Sequence, residues 1–377
     1  MPSAIPVASV ERHSPWQTIR PWVMVFDRTL LVAIGLVMMI GLATMYSAAF
    51  DFPGRFDGHV RNLAIALAVA WAAALAPPAL LMRIALPLYV LGVVLLIAVE
   101  LFGVVNKGAQ RWLDIGVTRI QPSELLKIAT PLMLAWYFNQ REGMLRWYDF
   151  AAATVLLAVP VGLIAKQPDL GTSILVLAAG AYVIFFAGLS WRVIAGLAIG
   201  GVAAMPLLWT VLHDYQRQRV LTMIDPTADP LGKGFHIIQS MIAVGSGGLT
   251  GKGWMQGTQT HLEFIPERTT DFILAVYAEE FGLLGIAVLV LLYLAIISRG
   301  LVIAGSGATT FGRLMAGSIT MSFFTYCFVN MGMVIGILPV VGVPLPWMSY
   351  GGTAMVTLGL GTGILMSIQR HRTLVQT

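Results

Sequence analysis

About ten stretches of the chain are apolar for long enough to cross a bilayer: 29–49, 60–80, 84–103, 124–138, 150–165, 171–189, 192–212, 272–297, 311–335 and 351–368. Their apolar residues form continuous runs rather than stripes at helical spacing, and each span needs roughly 20 of them. The pattern predicts an all-α polytopic membrane protein with about ten transmembrane helices. The fourth and fifth runs are short. Residues 1–28 and 369–377 are polar flanks, so 29–368 reads as a single ten-helix domain between two tails. The first flank lacks a basic lead with a short apolar run and a cleavage site, so the first span is expected to be retained as an anchor.

Three interruptions are too long to be simple turns. Residues 104–123 carry Lys107, Arg111, Trp112, Asp114 and Arg119. Residues 213–271, between the seventh and eighth spans, form a large loop rich in Gly, Asp, Arg and Lys. Within it FHIIQSMIAVGSGGLTGKG (235–253) predicts an amphipathic or re-entrant helix ending in a flexible turn. Loops of this length are uncommon unless they serve a function. Residues 336–352, GILPVVGVPLPWMSYGG, are uncharged and rich in proline. Non-helical backbone at membrane depth must be covered by protein or line a cavity, so this segment is expected to fold back into the bundle.

Composition agrees with a membrane protein: 58% of residues are hydrophobic and only 11% are charged. Arg12, Arg20, Arg28, Arg83, Arg141, Arg146, Arg192, Arg299, Arg313, Arg370 and Arg372 fall on one side if ten spans alternate. The positive-inside rule then makes both termini cytoplasmic and places the long loops outside. The net charge of +5 belongs to this topogenic set and gives no reason to expect nucleic acid. A single cysteine, Cys327, rules out an internal disulfide and a cysteine-based metal site.

Against so few charges, LEFIPERTTDFILAVYAEE (262–280) concentrates five acids. Glu263, Glu267 and Asp271 stand where the chain leaves water for lipid, and a carboxylate there needs a partner, a wet cavity or a task. Asp271 is well placed to work at the interface; the alternative is an N-cap for the eighth span. Lys127 lies inside the fourth span three residues after Glu124, which makes a helical ion pair available; snorkelling to the interface is its simpler reading. AKQPDLGTS (165–173) brings Lys166, Asp169 and Thr172 into a tight turn that serves either as a connector or as a polar contact. Outer-face cations, among them Arg111, Lys166, Arg217, Lys233 and Lys252, suit an anionic ligand as a set. Acids at the boundary with cations above them describe a site for a lipid bearing a phosphate-rich, hydroxyl-rich head group. Two classes fit: a transferase acting on a lipid-linked substrate, or a flippase that moves it. Transporters tend to bind at the midplane between repeats, and no repeat is visible here, which favours the enzyme.

The strings GAQRWLDIG (108–116), QPSELLK (121–127), KQPDLGT (166–172), DPLGKGFHIIQSMIAVGSGGLTGKG (229–253), LEFIPERTTDFILA (262–275) and NMGMVIGILPVVGVPLPWMSYGG (330–352) resemble the SEDS family, specifically its elongation branch rather than its division branch. The similarity covers residues 28–370. It implies a ten-span peptidoglycan glycosyltransferase in the bacterial inner membrane, polymerising lipid II on the periplasmic face during elongation. It also implies a class B penicillin-binding protein and the elongation machinery as partners. Asp271 aligns with the family's catalytic aspartate, and Arg111, Lys127, Lys166, Asp169, Arg217, Glu263 and Ser349 map to substrate contacts. The family's usual histidine before the Thr-Asp pair is replaced by Thr269. A lipid II flippase without catalysis is the alternative. The expected reaction is an inverting transfer with Asp271 as general base and undecaprenyl diphosphate as leaving group, stabilised by cations and a candidate divalent ion, Mg or Mn.

Overall fold

The computed structural model describes residues 26–372, apart from 107–108, 115–118, 144, 212–213, 229–232 and 266. Most of the expected N-terminal tail, and residues 373–377, therefore lie outside the described residues. Helices α1 (Arg28–Ala48), α2 (Arg55–Leu75) and α3 (Pro78–Phe102) open the chain. A small sheet follows, and then α4 (Pro122–Gln140), α5 (Trp147–Lys166), α6 (Leu170–Phe186) and α7 (Trp191–Val211). The long connection carries α8 (Asp214–Ile224), a 3-10 turn at Pro226–Ala228, α9 (Lys233–Ser246) and α10 (Thr258–His261). Helices α11 (Ile273–Gly305), α12 (Thr310–Val334) and α13 (Gly352–Arg370) complete the bundle.

Each of the ten expected runs corresponds to one long helix. Seven of these, α1, α2, α3, α5, α11, α12 and α13, are long and apolar enough to span a membrane, while α6 and the apolar part of α7 are shorter. Helix α4 is a case apart. It carries Glu124 and Lys127, yet Leu126 through Ala135 are all buried, so it sits inside the bundle rather than against lipid. Helix α7 is the opposite: Leu197, Ile199 and Val202 are exposed, as suits a lipid-facing helix. The molecule is a multi-pass membrane protein.

One end of the bundle is tied by ion pairs. Asp27 caps α1, accepting from the Leu30 amide at 3.0 Å, and takes the Arg299 guanidinium from the far end of α11 at 2.6 Å. Burial tends to raise the Asp27 pKa, but the hydrogen bond and charge of Arg299 outweigh it and hold the carboxyl below its usual 3.8. Arg141–Asp149 at 2.6 Å and Arg313–Glu142 at 3.6 Å lie at the same end.

The opposite end differs from a purely helical expectation. Three short strands form an antiparallel sheet in the order β1 (Val104–Asn106), β2 (Ala109–Asp114), β3 (Arg119–Ile120). Gln110 pins it to α3 by donating to the Val99 and Gly103 carbonyls, both at 3.0 Å. The strands are too short to show a period in the sequence.

Helix α11 breaks at Gly282, which has φ 64° and ψ −164°. Breaking a helix frees backbone groups that lipid cannot satisfy. Here the segment after α9 satisfies them: Lys252 and Gly253 amides donate to the Glu279 and Glu280 carbonyls at 3.0 Å each, while Leu283 and Leu284 donate to Gly248 and Leu249 at 2.9 and 3.0 Å. Gly247 and Gly251 approach the α11 backbone so closely that a Cβ on either would collide with a carbonyl oxygen of Ala278 or Glu280. Gly247 and Gly251 of GSGGLTGKG thus serve close approach, where the sequence suggests a flexible turn.

The uncharged segment 336–352 does fold back. Val343, Leu345, Trp347 and Met348 are buried without regular structure. Side chains satisfy its backbone: Asn330 donates to the Val343 carbonyl at 2.7 Å, Tyr293 to Pro346 at 2.8 Å, and Ser349 Oγ accepts from the Leu345 amide at 2.8 Å.

Candidate active site

The carboxylate singled out by sequence stands on the turn that leads into α11. That turn closes through the Glu267 carbonyl, which accepts from the Thr270 and Phe272 amides at 3.0 and 3.3 Å. Glu267 has φ 50°, an αL conformation that costs a side-chain-bearing residue about 1–2 kcal/mol. The N-cap of α11 is Phe272, and no side chain caps the helix, so Asp271 is not its capping residue. The backbone of Asp271 is held from α12, where the buried Asn330 donates to its carbonyl at 2.9 Å and to Val343 with the same nitrogen. Gly342 of the fold-back segment faces the carboxylate: a Cβ built there would lie 3.5 Å from Oδ2. Tyr350 donates its amide to the Thr269 carbonyl at 2.8 Å. Buried Arg268 fastens the turn to the α1–α2 connection through the Ala48 carbonyl (2.9 Å) and Asp51, with its guanidinium over Phe50 and Phe52.

Asp271 lines a crevice of about 240 Å³ together with Arg219 and Thr222 of α8, His236 and Ile237 of α9, Glu267, Phe272 and Val340. This contains two carboxylates, an imidazole and a guanidinium within reach of water. His236 stacks on Phe272, with ring centroids 5.9 Å apart at 25°. Burial pushes its pKa below the ordinary 6.5, an effect that the nearby Glu267 charge opposes.

None of the seven expected substrate contacts lines this crevice. Arg111 on β2 and Asp169 before α6 do come together, 3.7 Å apart, at the same end of the bundle. Arg111 also donates to the Gln167 carbonyl at 3.3 Å and to Pro168. Asp169 caps α6 through the Thr172 amide at 3.2 Å and accepts from Gln121 at 3.0 Å. Lys166 is exposed and lies 3.7 Å from Glu100. Lys127 is buried in the available pair, 2.6 Å from Glu124, whose other oxygen accepts from Thr357 at 3.2 Å. That rules out snorkelling for Lys127. Its ammonium lies 5.5 Å above the Tyr326 ring. The pair also borders an apolar groove of about 560 Å³ between α2, α3, α4 and α13, which Glu124 lines.

Three of the expected contacts have other partners or places. Arg217 turns away and donates to the Trp209 and Thr210 carbonyls at 3.0 and 2.7 Å, filling acceptors at the end of α7. Two residues apart on a helix face nearly opposite ways, so Arg219 takes the crevice instead. Ser349 is buried and spends its oxygen on a turn. Glu263 is exposed on the turn after α10, at φ 59°, away from the crevice. Among the described residues no group of three or more His, Cys, Asp or Glu side chains is gathered that could hold a metal ion.

Thr222 and His236 were not singled out by the sequence; Glu267, as an acid at the span entrance, and Arg219, as one of the outer-face cations, were, though neither was named as a substrate contact. Charge near a span was the available signal for Glu267; His236 sits in a string singled out for its apolar periodicity, which hides a polar residue on one face.

The family model for FtsW, RodA and SpoVE, described as cell cycle protein, matches residues 21–374. The chain is 51% identical over 348 residues to the peptidoglycan glycosyltransferase MrdB of Escherichia coli (strain K12), covering 92% of this chain and 94% of that one. A structure described as "Structural coordination of polymerization and crosslinking by a peptidoglycan synthase complex" superposes with TM-score 0.81 at 32% identity, covering 93% of this chain and 99% of the other. The rod shape determining protein RodA of Thermus thermophilus superposes with TM-score 0.71 at 26% identity, over 94% and 99% of the two chains.

Proposed function

The chain belongs to the family of FtsW, RodA and SpoVE cell cycle proteins, and we infer that it is a peptidoglycan glycosyltransferase that polymerises lipid II with Asp271 as general base. The observation that carries the assignment of Asp271 is its place: a carboxylate released from helix capping, fixed through its own backbone by Asn330, on the wall of a water-accessible crevice.

The 4-hydroxyl of one sugar attacks the anomeric carbon of another. The new C–O bond forms as the bond to the diphosphate oxygen breaks, and the diphosphate leaves with the electron pair. The hydroxyl proton passes to an Asp271 oxygen. A carboxylate is a weak base for an alcohol, but in an oxocarbenium-like transition state proton transfer lags bond formation, as in other sugar-transferring carboxylates. A single displacement inverts the anomeric centre, turning an α-linked donor into a β-linked product. Arg219, the guanidinium that lines the crevice, is placed to meet the departing negative charge. Arg111 and Lys127, which lie outside the crevice in their own pairs, bind the lipid-linked substrate beyond the reacting atoms in this reading. No step is assigned to Mg or Mn.

The crevice faces the periplasm in this reading, with both termini in the cytoplasm and the protein in the inner membrane. The gathering of Arg141, Arg299 and Arg313 at the other end supports that orientation through the positive-inside rule. A class B penicillin-binding protein is the proposed partner, within the elongation machinery. Its support is the likeness to a synthase complex in which polymerisation and crosslinking are coordinated.

The test is chain formation from lipid II in detergent, with the partner present. Asp271→Asn keeps size and shape and removes the base, so the rate should fall by about 10²–10⁴-fold. Chain formation near the wild-type rate by a folded, partner-bound variant removes Asp271 from the mechanism. Product made where there is no membrane to cross also separates an enzyme from a flippase.

A further inference from the structure

His236 is the crevice's remaining polar ring. Helix α9 holds it rigidly: Ile237 beside it is buried, and Ser240, one turn on, donates to the Val334 carbonyl of α12 at 2.8 Å. The ring lies against Phe272, the residue directly after Asp271. Neither ring nitrogen has a hydrogen-bond partner among the described residues, although the ring is half-buried. A polar ring fixed in place with both nitrogens unspent is what a ligand-binding wall requires. The crevice, of about 240 Å³, has room for a sugar ring.

We propose that His236 is a substrate-binding residue of the acceptor subsite, holding a hydroxyl or acetamido group of the sugar through a neutral imidazole. Neutral imidazole offers one donor and one acceptor, matching a sugar's mixed hydroxyls, whereas imidazolium offers donors only. The charged groups facing it among the described residues are Glu267 and Asp271 on the turn before α11 and Arg219 on α8; the fold-back segment contributes the apolar Val340. Glu267 favours the protonated ring and burial opposes it, and burial prevails, so the ring is neutral at pH 7. Acid therefore costs substrate binding. As the pH falls through the imidazole pKa, the acceptor nitrogen is lost and the new charge is drawn to Glu267.

The inference rests on the crevice being the polymerase site, and its test reads binding as well as turnover. With the partner-bound protein, His236→Leu should raise KM for lipid II about tenfold with kcat changed less than about threefold, the size of one lost hydrogen bond to an uncharged group. His236→Gln keeps a neutral donor and acceptor and should recover part of that loss, to within about threefold. As the pH falls below 6.5 and through the imidazole pKa, the wild-type KM should rise, while that of His236→Gln stays level. The same loss should appear as weaker lipid II binding when His236→Leu is placed in the inactive Asp271→Asn background, a readout that survives any failure of the proton-transfer reading. A KM for His236→Leu within twofold of wild type, or equal acid sensitivity in wild type and His236→Gln, overturns the proposal. Should His236→Leu fail to fold, the acid comparison of wild type with His236→Gln decides alone.

Discussion

The break in α11 is held shut by Glu279, and removing that charge should open the segment packed across it. Glu279 is fully buried and accepts from five donors: Lys252 Nζ at 2.7 Å, Thr258 Oγ1 at 3.2 Å, the Gln259 amide at 2.9 Å, and the Thr260 amide and hydroxyl at 3.3 Å each. Glu279→Gln preserves the shape but strands the Lys252 ammonium and turns one acceptor into a donor facing donors. Breaking a buried pair costs about 3–5 kcal/mol, and because Lys252 keeps 28% of its side-chain exposure the lower end applies, about 3 kcal/mol. At about 1.4 kcal/mol per factor of ten, the open form of 247–261 should become roughly 100-fold more populated. Amide hydrogen exchange reads this directly at Lys252, Gly253, Leu283 and Leu284, whose amides cross the break. Lys252→Met in the Glu279→Gln background should recover part of the protection, since no charge is then stranded. Exchange across 247–261 within threefold of wild type in the single variant would refute the latch.

Asn330→Leu leaves the Asp271 and Val343 carbonyls without their donor, at about 1–3 kcal/mol for each buried group left unpaired. Chain formation should fall more than lipid II binding does, and unchanged turnover in a folded variant would show that Asn330 does not position the base. Arg268 holds the Asp51 pKa below its usual 3.8 against a larger opposing effect of burial. A depressed carboxyl pKa stabilises above the unfolded value, so the wild type should lose stability as the pH falls below about 3.8. Asp51→Asn should be less stable at pH 7 and should lack that part of the acid loss; parallel melting curves from pH 2 to 6 would contradict it. Glu267→Gln keeps the turn's backbone bonds and removes the second carboxylate of the crevice, so polymerisation should persist within about tenfold, far above Asp271→Asn. Equal loss in the two variants would make them a functional pair.

The ten helices were legible because a bilayer demands long apolar runs, and that demand writes itself directly into composition. The fold-back of 336–352 was legible for the complementary reason, since an uncharged prolyl segment has nowhere else to go. What stayed hidden depends on tertiary partners. Strands β1 to β3 are three, six and two residues long, too short to display alternation. The glycines at 245–253 read equally well as flexibility or close approach until Gly282 and the α11 break stand opposite them. Arg217 and Arg219 cannot be ranked by residue type, because only the direction of α8 decides which one meets the crevice. Asp271 was found because it is a carboxylate at a span entrance with an apolar run behind it.

Several carboxylates at this end join segments of the chain. Asp51 binds Arg268, Glu124 binds Lys127, and Asp169 caps α6 while accepting from Gln121. Glu279 closes the latch, and Glu280, buried beside it, takes Ser47 and the Met255 amide. Each of these holds two segments of chain together, and a group so committed cannot rearrange around a substrate without loosening the fold. Asp271 and Glu267 are the carboxylates on the crevice wall. Glu267 turns its backbone through an αL conformation and its carboxylate back onto Thr270, with the hydroxyl at 3.0 Å, inside its own turn. For Asp271, Asn330 secures the backbone from α12, which fixes the place of a carboxylate that lines the crevice. Preorganisation of this kind lets a carboxylate meet an incoming hydroxyl with little reorganisation of the protein around it.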